Sequence, residues 1–213
     1  MEMSAYSKVN LTFEVLDRMA DGYHLVTTIM QTVALADKLR FEPHTELSVE
    51  CEYPELSGDL NLVWKAAVEL AKFANIKPAV RITVEKHIPV AMGLGGGSSD
   101  AATTLLGLNQ VWGLGLSMEE LADIAAKLGS DVSFFLWGGT ALAEGRGERV
   151  SPLPSIPSMY LSLVFPDISL SEKTKTMYSK LTPANYSDGG VTNRMLQILA
   201  GGQAIRESVR GFV

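Results

Sequence analysis

The feature that most constrains this chain is PVAMGLGGGSSDAA at residues 89–102, in which four glycines and two serines stand directly before an alanine-rich segment. Glycine has no Cβ, so the backbone can take positive φ and approach a ligand closely. A helix starting immediately behind such a run adds unpaired N–H groups and partial positive charge. The combination points to an anion, a phosphate above all, held by Pro89, Val90, Ala91, Met92, Gly93, Leu94, Gly95, Gly96, Gly97, Ser98 and Ser99. The serine hydroxyls can reach phosphate oxygens or complete the shell of a hard cation such as magnesium, with Ser99 the candidate ligand. Two better-known phosphate loops do not fit the letters. A Walker A loop needs Lys and then Ser or Thr after its last glycine, and neither follows Gly97 in that order. A dinucleotide fingerprint begun at Gly93 needs glycine where Ser98 stands, and Asn109 and Gln110 occupy the region expected to bring an acidic ribose partner.

The 213 residues, 46% hydrophobic and 20% charged, can bury a substantial core in one large domain or in a large and a smaller one. A net charge of -6 and a pI near 5.1 argue against nucleic acid as partner, because a phosphate backbone is bound by clustered Lys and Arg. No stretch reaches the roughly 18 apolar residues of a membrane span. The opening MEMSAYSKVN lacks the order of a signal peptide, so the expected location is cytoplasmic, with no membrane partner. Cys51 is the single cysteine; flanked by Glu50 and Glu52, it reads as a strand residue with a discouraged thiolate.

Alternation predicts strands over 9–15, 32–41, 47–53 and 81–86. Leu62, Ala66, Leu70 and Phe73 recur at helical spacing in 61–74, which Asn75 can close in the left-handed conformation. Ala101, Leu105, Leu108 and Trp112 predict an amphipathic helix over 99–112. Ser117 and Glu120 form a capping-box pattern for a helix that Gly129 stops. Strands are expected at 137–143 and 159–165, helices at 171–181 and 193–200, and a loop at 182–190. The proline-rich stretch from Ser151 marks a connection, which divides the chain into an N-terminal domain (1–150), a link (151–157) and a smaller C-terminal part (158–213).

The glycine segment resembles the second motif of the galactokinase, homoserine, mevalonate and phosphomevalonate (GHMP) kinase superfamily, and its GLGGGSSDAA form is similar to one branch, the diphosphocytidyl-methylerythritol kinases. Two further segments carry the same resemblance in order. AYSKVNLTFEVLDRMADGYH looks like the branch's first motif, and GSDVSFFLWGGTALAEGRGE at 129–148 looks like the segment with its catalytic aspartate. The resemblance implies an α+β, two-domain GHMP-kinase-like fold and ATP-dependent, magnesium-assisted phosphorylation of the 2-hydroxyl of a cytidine diphosphate-linked methylerythritol, a step of non-mevalonate isoprenoid synthesis. It implies catalytic roles for Asp131, as proton acceptor, and Lys8, as its cationic partner. Asn10, Tyr23 and His24 fall at the substrate, with the Tyr23 ring suited to stack on a pyrimidine and the His24 imidazole to bond its edge. Asn61 and Lys86 fall near the adenine; a helix N-cap and an exposed strand lysine are the ordinary alternatives for those two.

Three departures stand out: Ser133 where the family usually has proline, Tyr6-Ser7 where it has Pro-Ala, and an end at Val213 with no third glycine motif after Val150. The C-terminal domain is therefore expected to be incomplete. Two alternative readings follow: a nucleotide-binding remnant without turnover, which would hide uncovered apolar surface as a homo-oligomer, and a GHMP kinase acting on another small alcohol.

Overall fold

Two long strands, β1 (Glu2–Arg18) and β2 (His24–Pro43), pair with each other across a tight turn. Gly22 takes φ +89° there, and the turn closes through the Gly22 amide on the Met19 carbonyl and the Met19 amide on the Tyr23 carbonyl. The computed structural model describes residues 1–165 and 173–201 and divides into two compact units, each of which takes part of both strands.

The first unit comprises Met1–Val9 and Thr32–Gly138. In it the later part of β2 pairs antiparallel with β4 (Val80–Glu85), Lys38 opposite Glu85 and Pro43 opposite Val80, while β3 (Leu47–Cys51) lies parallel to β4. Parallel neighbours need a crossover, and α1 (Leu62–Phe73) lies within it. Asn61 caps α1 by accepting from the Val63 amide, and Asn75 follows its end at φ +53°, the left-handed stop that the sequence predicts. α2 (Gly96–Val111) packs against α1 and against α4 (Ser130–Trp137), which also contacts α3 (Met118–Leu128). The α3 capping box forms as expected, the Ser117 and Glu120 side chains each accepting from the other residue's amide. Ala101, Leu105 and Leu108 of α2 are fully buried with Leu39, Ile82 and Val63, each large side chain contributing about 1.5–3 kcal/mol of transfer free energy.

The second unit comprises Asn10–Gln31 and Gly139–Val213. The early part of β2 pairs antiparallel with β5 (Thr140–Gly145), from Val26 opposite Gly145 to Gln31 opposite Thr140, and β6 (Arg149–Pro152) pairs with β5. α5 (Lys173–Ser179) and α6 (Gly190–Ala200) complete its described regular elements besides a short turn of 3-10 helix. Ile29, Met195 and Leu199 form its core.

Helices and a largely antiparallel sheet combine in an α+β arrangement, as expected, but three local readings change. Residues 130–136, for which the sequence predicts no element, belong to a short helix, whose first turn carries Asp131. Trp137 ends that helix; Gly138 and Gly139, both at positive φ, separate it from β5, which starts only at Thr140. Residues 159–165 alternate like a strand but form none: no described strand pairs with them, and an unpaired strand has no partner for its amides. Of the helix expected over 171–181, residues 171 and 172 lie outside the described residues. No helix among the described residues is long and apolar enough to cross a membrane.

Candidate active site

The glycine segment leaves β4 and enters α2 in the first unit. Ala91, Gly93 and Gly95 take φ of 59°, 83° and 74°, and Gly95 is the N-cap of α2, with no side chain capping the helix. The leading amides of α2 are thus left to the space in front of it. A Cβ at Gly95 would lie 2.7 Å from Cζ of Phe135 and 3.2 Å from Cγ of Lys8, so space as well as conformation demands glycine. The Lys8 amide donates to the Leu94 carbonyl at 3.0 Å, which ties β1 to the loop. A cavity of about 260 Å³ is lined by residues 89–98 together with Leu56, Asn61, Leu62, Lys86, Ile88 and Asp100. Ser98 lines it and Ser99 does not. Ser99, the expected magnesium ligand, is 1% exposed and donates its hydroxyl to the Tyr6 carbonyl at 2.6 Å, so it joins α2 to β1 instead of facing the cavity.

Lys8 and Asp131, expected as partners, come together: Nζ lies 3.5 Å from Oδ2, the lysine side chain 8% exposed and the aspartate 40%. Asp131 is thus open to a ligand while its partner is buried.

Lys86 is not the exposed strand lysine of the ordinary alternative. It follows β4, its side chain is 7% exposed, and its ammonium bonds Asp37 Oδ2 and, at 2.7 Å, Asp100 Oδ2. The other oxygen of Asp37 accepts from the amides of His87 and Ile88 at 2.6 and 2.7 Å. Burial pushes the Asp100 carboxyl up to about 7 against the pull of Lys86, with Asp37 adding to the push. Burial opposes the charge on Lys86, but the two acids outweigh it and raise its pKa. Asn61 does cap α1, and it also lines the cavity. Cys51 lies in β3, where burial raises its thiol.

In the second unit, Asn10 is exposed and donates its amide to Thr28 Oγ1 at 2.7 Å. Tyr23 is 58% exposed, with the Arg146 guanidinium 4.2 Å above its ring centroid and bonded to Asp21. The ring of His24 stacks on Tyr178 at 4.9 Å and meets Tyr186 edge-on at 6.1 Å. Sequence reasoning missed Asp37, Asp100, Arg146 and Tyr178. The aspartate after Gly97-Ser98-Ser99 was a visible signal for Asp100; Asp37 carried none, since only the fold brings β2 under the loop.

A helix-capped glycine loop beside a lysine–aspartate pair is the equipment of a phosphotransferase, and the family model described as "GHMP kinases N terminal domain" matches residues 61–139, which holds the loop and Asp131. The class is therefore that of the GHMP kinases. The 4-diphosphocytidyl-2-C-methyl-D-erythritol kinase of Listeria monocytogenes serotype 4b (strain CLIP80459) is 45% identical over 207 residues, covering 95% of this chain and 69% of the relative. The enzyme of the same name from Dehalococcoides mccartyi (strain BAV1) is 39% identical, covering 95% and 72%. The crystal structure of a 4-(cytidine 5'-diphospho)-2C-methyl-D-erythritol kinase superposes with a TM-score of 0.77 at 36% identity, over 95% of this chain and 72% of that one. The L. major mevalonate kinase shares the fold alone, with a TM-score of 0.67 at 16% identity, over 95% of this chain and 70% of its own. The chain belongs to the 4-diphosphocytidyl-2-C-methyl-D-erythritol kinase family.

Proposed function

We propose that this chain transfers the γ-phosphoryl group of ATP to the 2-hydroxyl of 4-diphosphocytidyl-2-C-methyl-D-erythritol, a step toward isoprenoid precursors. The observation that carries the reading is the Lys8–Asp131 pair, 3.5 Å apart, on a lysine whose stem packs against the phosphate loop at Gly95. In this mechanism the Asp131 carboxylate accepts or orients the proton of the attacking hydroxyl, and the Lys8 ammonium offsets charge that develops on the transferring group. The backbone amides of the loop and of the first turn of α2 hold the triphosphate, which fixes the geometry of attack. Asn61 and Lys86 serve the nucleotide from the cavity wall.

Magnesium fits the donors present: an ion carried by ATP phosphates needs only one or two protein oxygens, and the Ser98 hydroxyl on the cavity wall is a hard donor of that kind. When bound, the ion neutralises phosphate charge. Among the described residues no three acidic, His or Cys side chains cluster as a metal cage. For the alcohol substrate, the exposed Tyr23 ring stacks on the cytosine, the His24 imidazole bonds its edge, and Asn10 bonds near the reacting hydroxyl.

The experiment is magnesium-dependent ATP consumption by the 213-residue chain with and without the cytidine-linked substrate, the product identified by mass. Phosphorylated substrate and ADP in equal amounts support the reading. ATP binding without product sinks turnover in this chain, and phosphorylation of mevalonate or homoserine in place of the cytidine-linked alcohol reassigns the substrate.

A further inference from the structure

Three ionisable side chains lie beneath the glycine loop and outside the proton-transfer pair: Asp37 of β2, Lys86 after β4 and Asp100 in the first turns of α2. Their bonds join the two ends of the loop. At its start, one oxygen of Asp37 accepts from the amides of His87 and Ile88, which fixes the backbone as it leaves β4. At its end, Asp100 takes the Lys86 ammonium at 2.7 Å, and the same ammonium returns to the other oxygen of Asp37. A closed circuit therefore runs from β2 through both feet of the loop.

Stability does not account for this arrangement. Asp37 is 0% exposed and Asp100 3%, and removing such charges from water costs about as much as their mutual attraction returns, so apolar side chains would serve packing as well or better. Between the two feet the chain takes positive φ at Ala91, Gly93 and Gly95, a conformation that many glycines leave free to wander. The packing is also close at the second foot, where a Cβ on Gly96 would meet Ile88 Cγ2 at 3.1 Å and Lys86 Nζ at 3.3 Å. Lys86 and Asp100 both line the cavity, and Oδ1 of Asp100 is buried with no hydrogen-bond partner among the described residues.

We propose that Asp37 and Asp100, acting through Lys86, are positioning residues that hold the phosphate loop in its nucleotide-binding shape. This rests on the reading of the cavity as the ATP site. Neither acid touches a reacting atom, and both govern how much of the population presents a preformed loop. If that fraction falls, apparent affinity for ATP falls in proportion, while the bound complex still reacts through Lys8 and Asp131.

The test compares the wild-type chain with Asp100→Asn and Asp37→Asn, measuring the Kd of magnesium-ATP by calorimetry, and kcat with KM for each substrate. Asp100→Asn keeps the shape of the side chain and removes its charge. The expected result is a rise of roughly tenfold in Kd and KM for ATP, as a fall of the competent fraction to about a tenth would give, with kcat within twofold and KM for the alcohol unchanged. An Asp100→Asn chain that melts earlier yet binds ATP as tightly as wild type overturns the inference, because the role is then structural only; so does a kcat that falls in step with affinity. Asp37→Asn repeats the measurement from the other foot, and if that chain fails to fold, the Asp100→Asn affinity alone decides. Absence of ATP binding by the wild-type chain overturns the functional reading and this one with it, whereas tight binding in both chains overturns this one alone.

Discussion

Lys8 Nζ on β1 and Asp131 Oδ2 on the first turn of α4 stand 3.5 Å apart, one side chain buried and the other 40% exposed. An ion pair with one partner so open contributes at most about 1 kcal/mol to stability, since water and salt screen it. Its removal should therefore be felt in chemistry and hardly at all in folding. Asp131→Asn is expected to lower kcat by about 10²–10⁴, the usual worth of a placed proton acceptor, with an unfolding midpoint close to wild type. Steady-state rates at saturating ATP beside a urea titration check both halves. A rate unchanged by the substitution would remove Asp131 from the mechanism.

Gly95 and Gly93 both take positive φ, yet their surroundings differ. Among the described residues nothing lies within 4 Å of where a Cβ on Gly93 would stand, while one on Gly95 would lie 2.7 Å from the Phe135 ring. Gly93→Ala should cost only the left-handed backbone strain, about 1–2 kcal/mol. Gly95→Ala adds overpacking of about 1–3 kcal/mol. It also pushes on the Lys8 stem at 3.2 Å. Denaturant unfolding is expected to rank Gly95→Ala below Gly93→Ala, with ATP affinity lost more completely in the former.

Local signals were readable where a few neighbouring residues decide the outcome. Ser117 and Glu120 specify their capping box within one turn, and Asn75 specifies its left-handed stop, so both appear in the structure as the letters predict. Lys8 and Asp131 had no such local warrant; family resemblance paired them, and the packing of β1, α2 and α4 is what brings them within 3.5 Å. Trp137, read as the start of a strand, misled because aromatic residues suit strands, while it ends a short helix on which Val132, Phe134 and Leu136 are buried. Residues 159–165 misled for a different reason, since a strand pattern is only half a strand without a neighbour to pair with. Asp37 was illegible: an acid in an alternating strand reads as a solvent-facing residue, and only the fold puts it at 0% exposure under the loop.

Glu14 of β1 meets the start of α6 within the second unit, its carboxylate accepting from the Ser187 hydroxyl at 2.9 Å and from the Val191 and Thr192 amides at 3.3 and 2.7 Å. Burial raises its pKa, but these bonds outweigh it and hold the carboxyl below its ordinary value. An acid with a lowered folded pKa gives stability that is present above the unfolded value, near 4.5, and lost as pH falls through the folded one. Glu14→Gln should cost about 1–3 kcal/mol at pH 7, the worth of a charged acceptor at a helix start. Melting curves of both chains should draw together as the pH drops below 4.5.

Asp100 runs the other way. Burial pushes its carboxyl up to about 7, so between its unfolded value of 3.8 and about 7 the folded chain holds a proton that the unfolded chain has released. Stability rises with pH only where the unfolded state binds more protons, and here it binds fewer. The contribution of Asp100 is therefore most favourable in acid and declines as the pH climbs toward 7, above which it is level. Asp100→Asn has no proton to release, so urea unfolding of the nucleotide-free chains at pH 5 and pH 8 should move in the variant's favour at the higher pH. An equal gap between the two chains at both values would mean that Asp100 is ionised throughout, held so by Lys86 despite its burial.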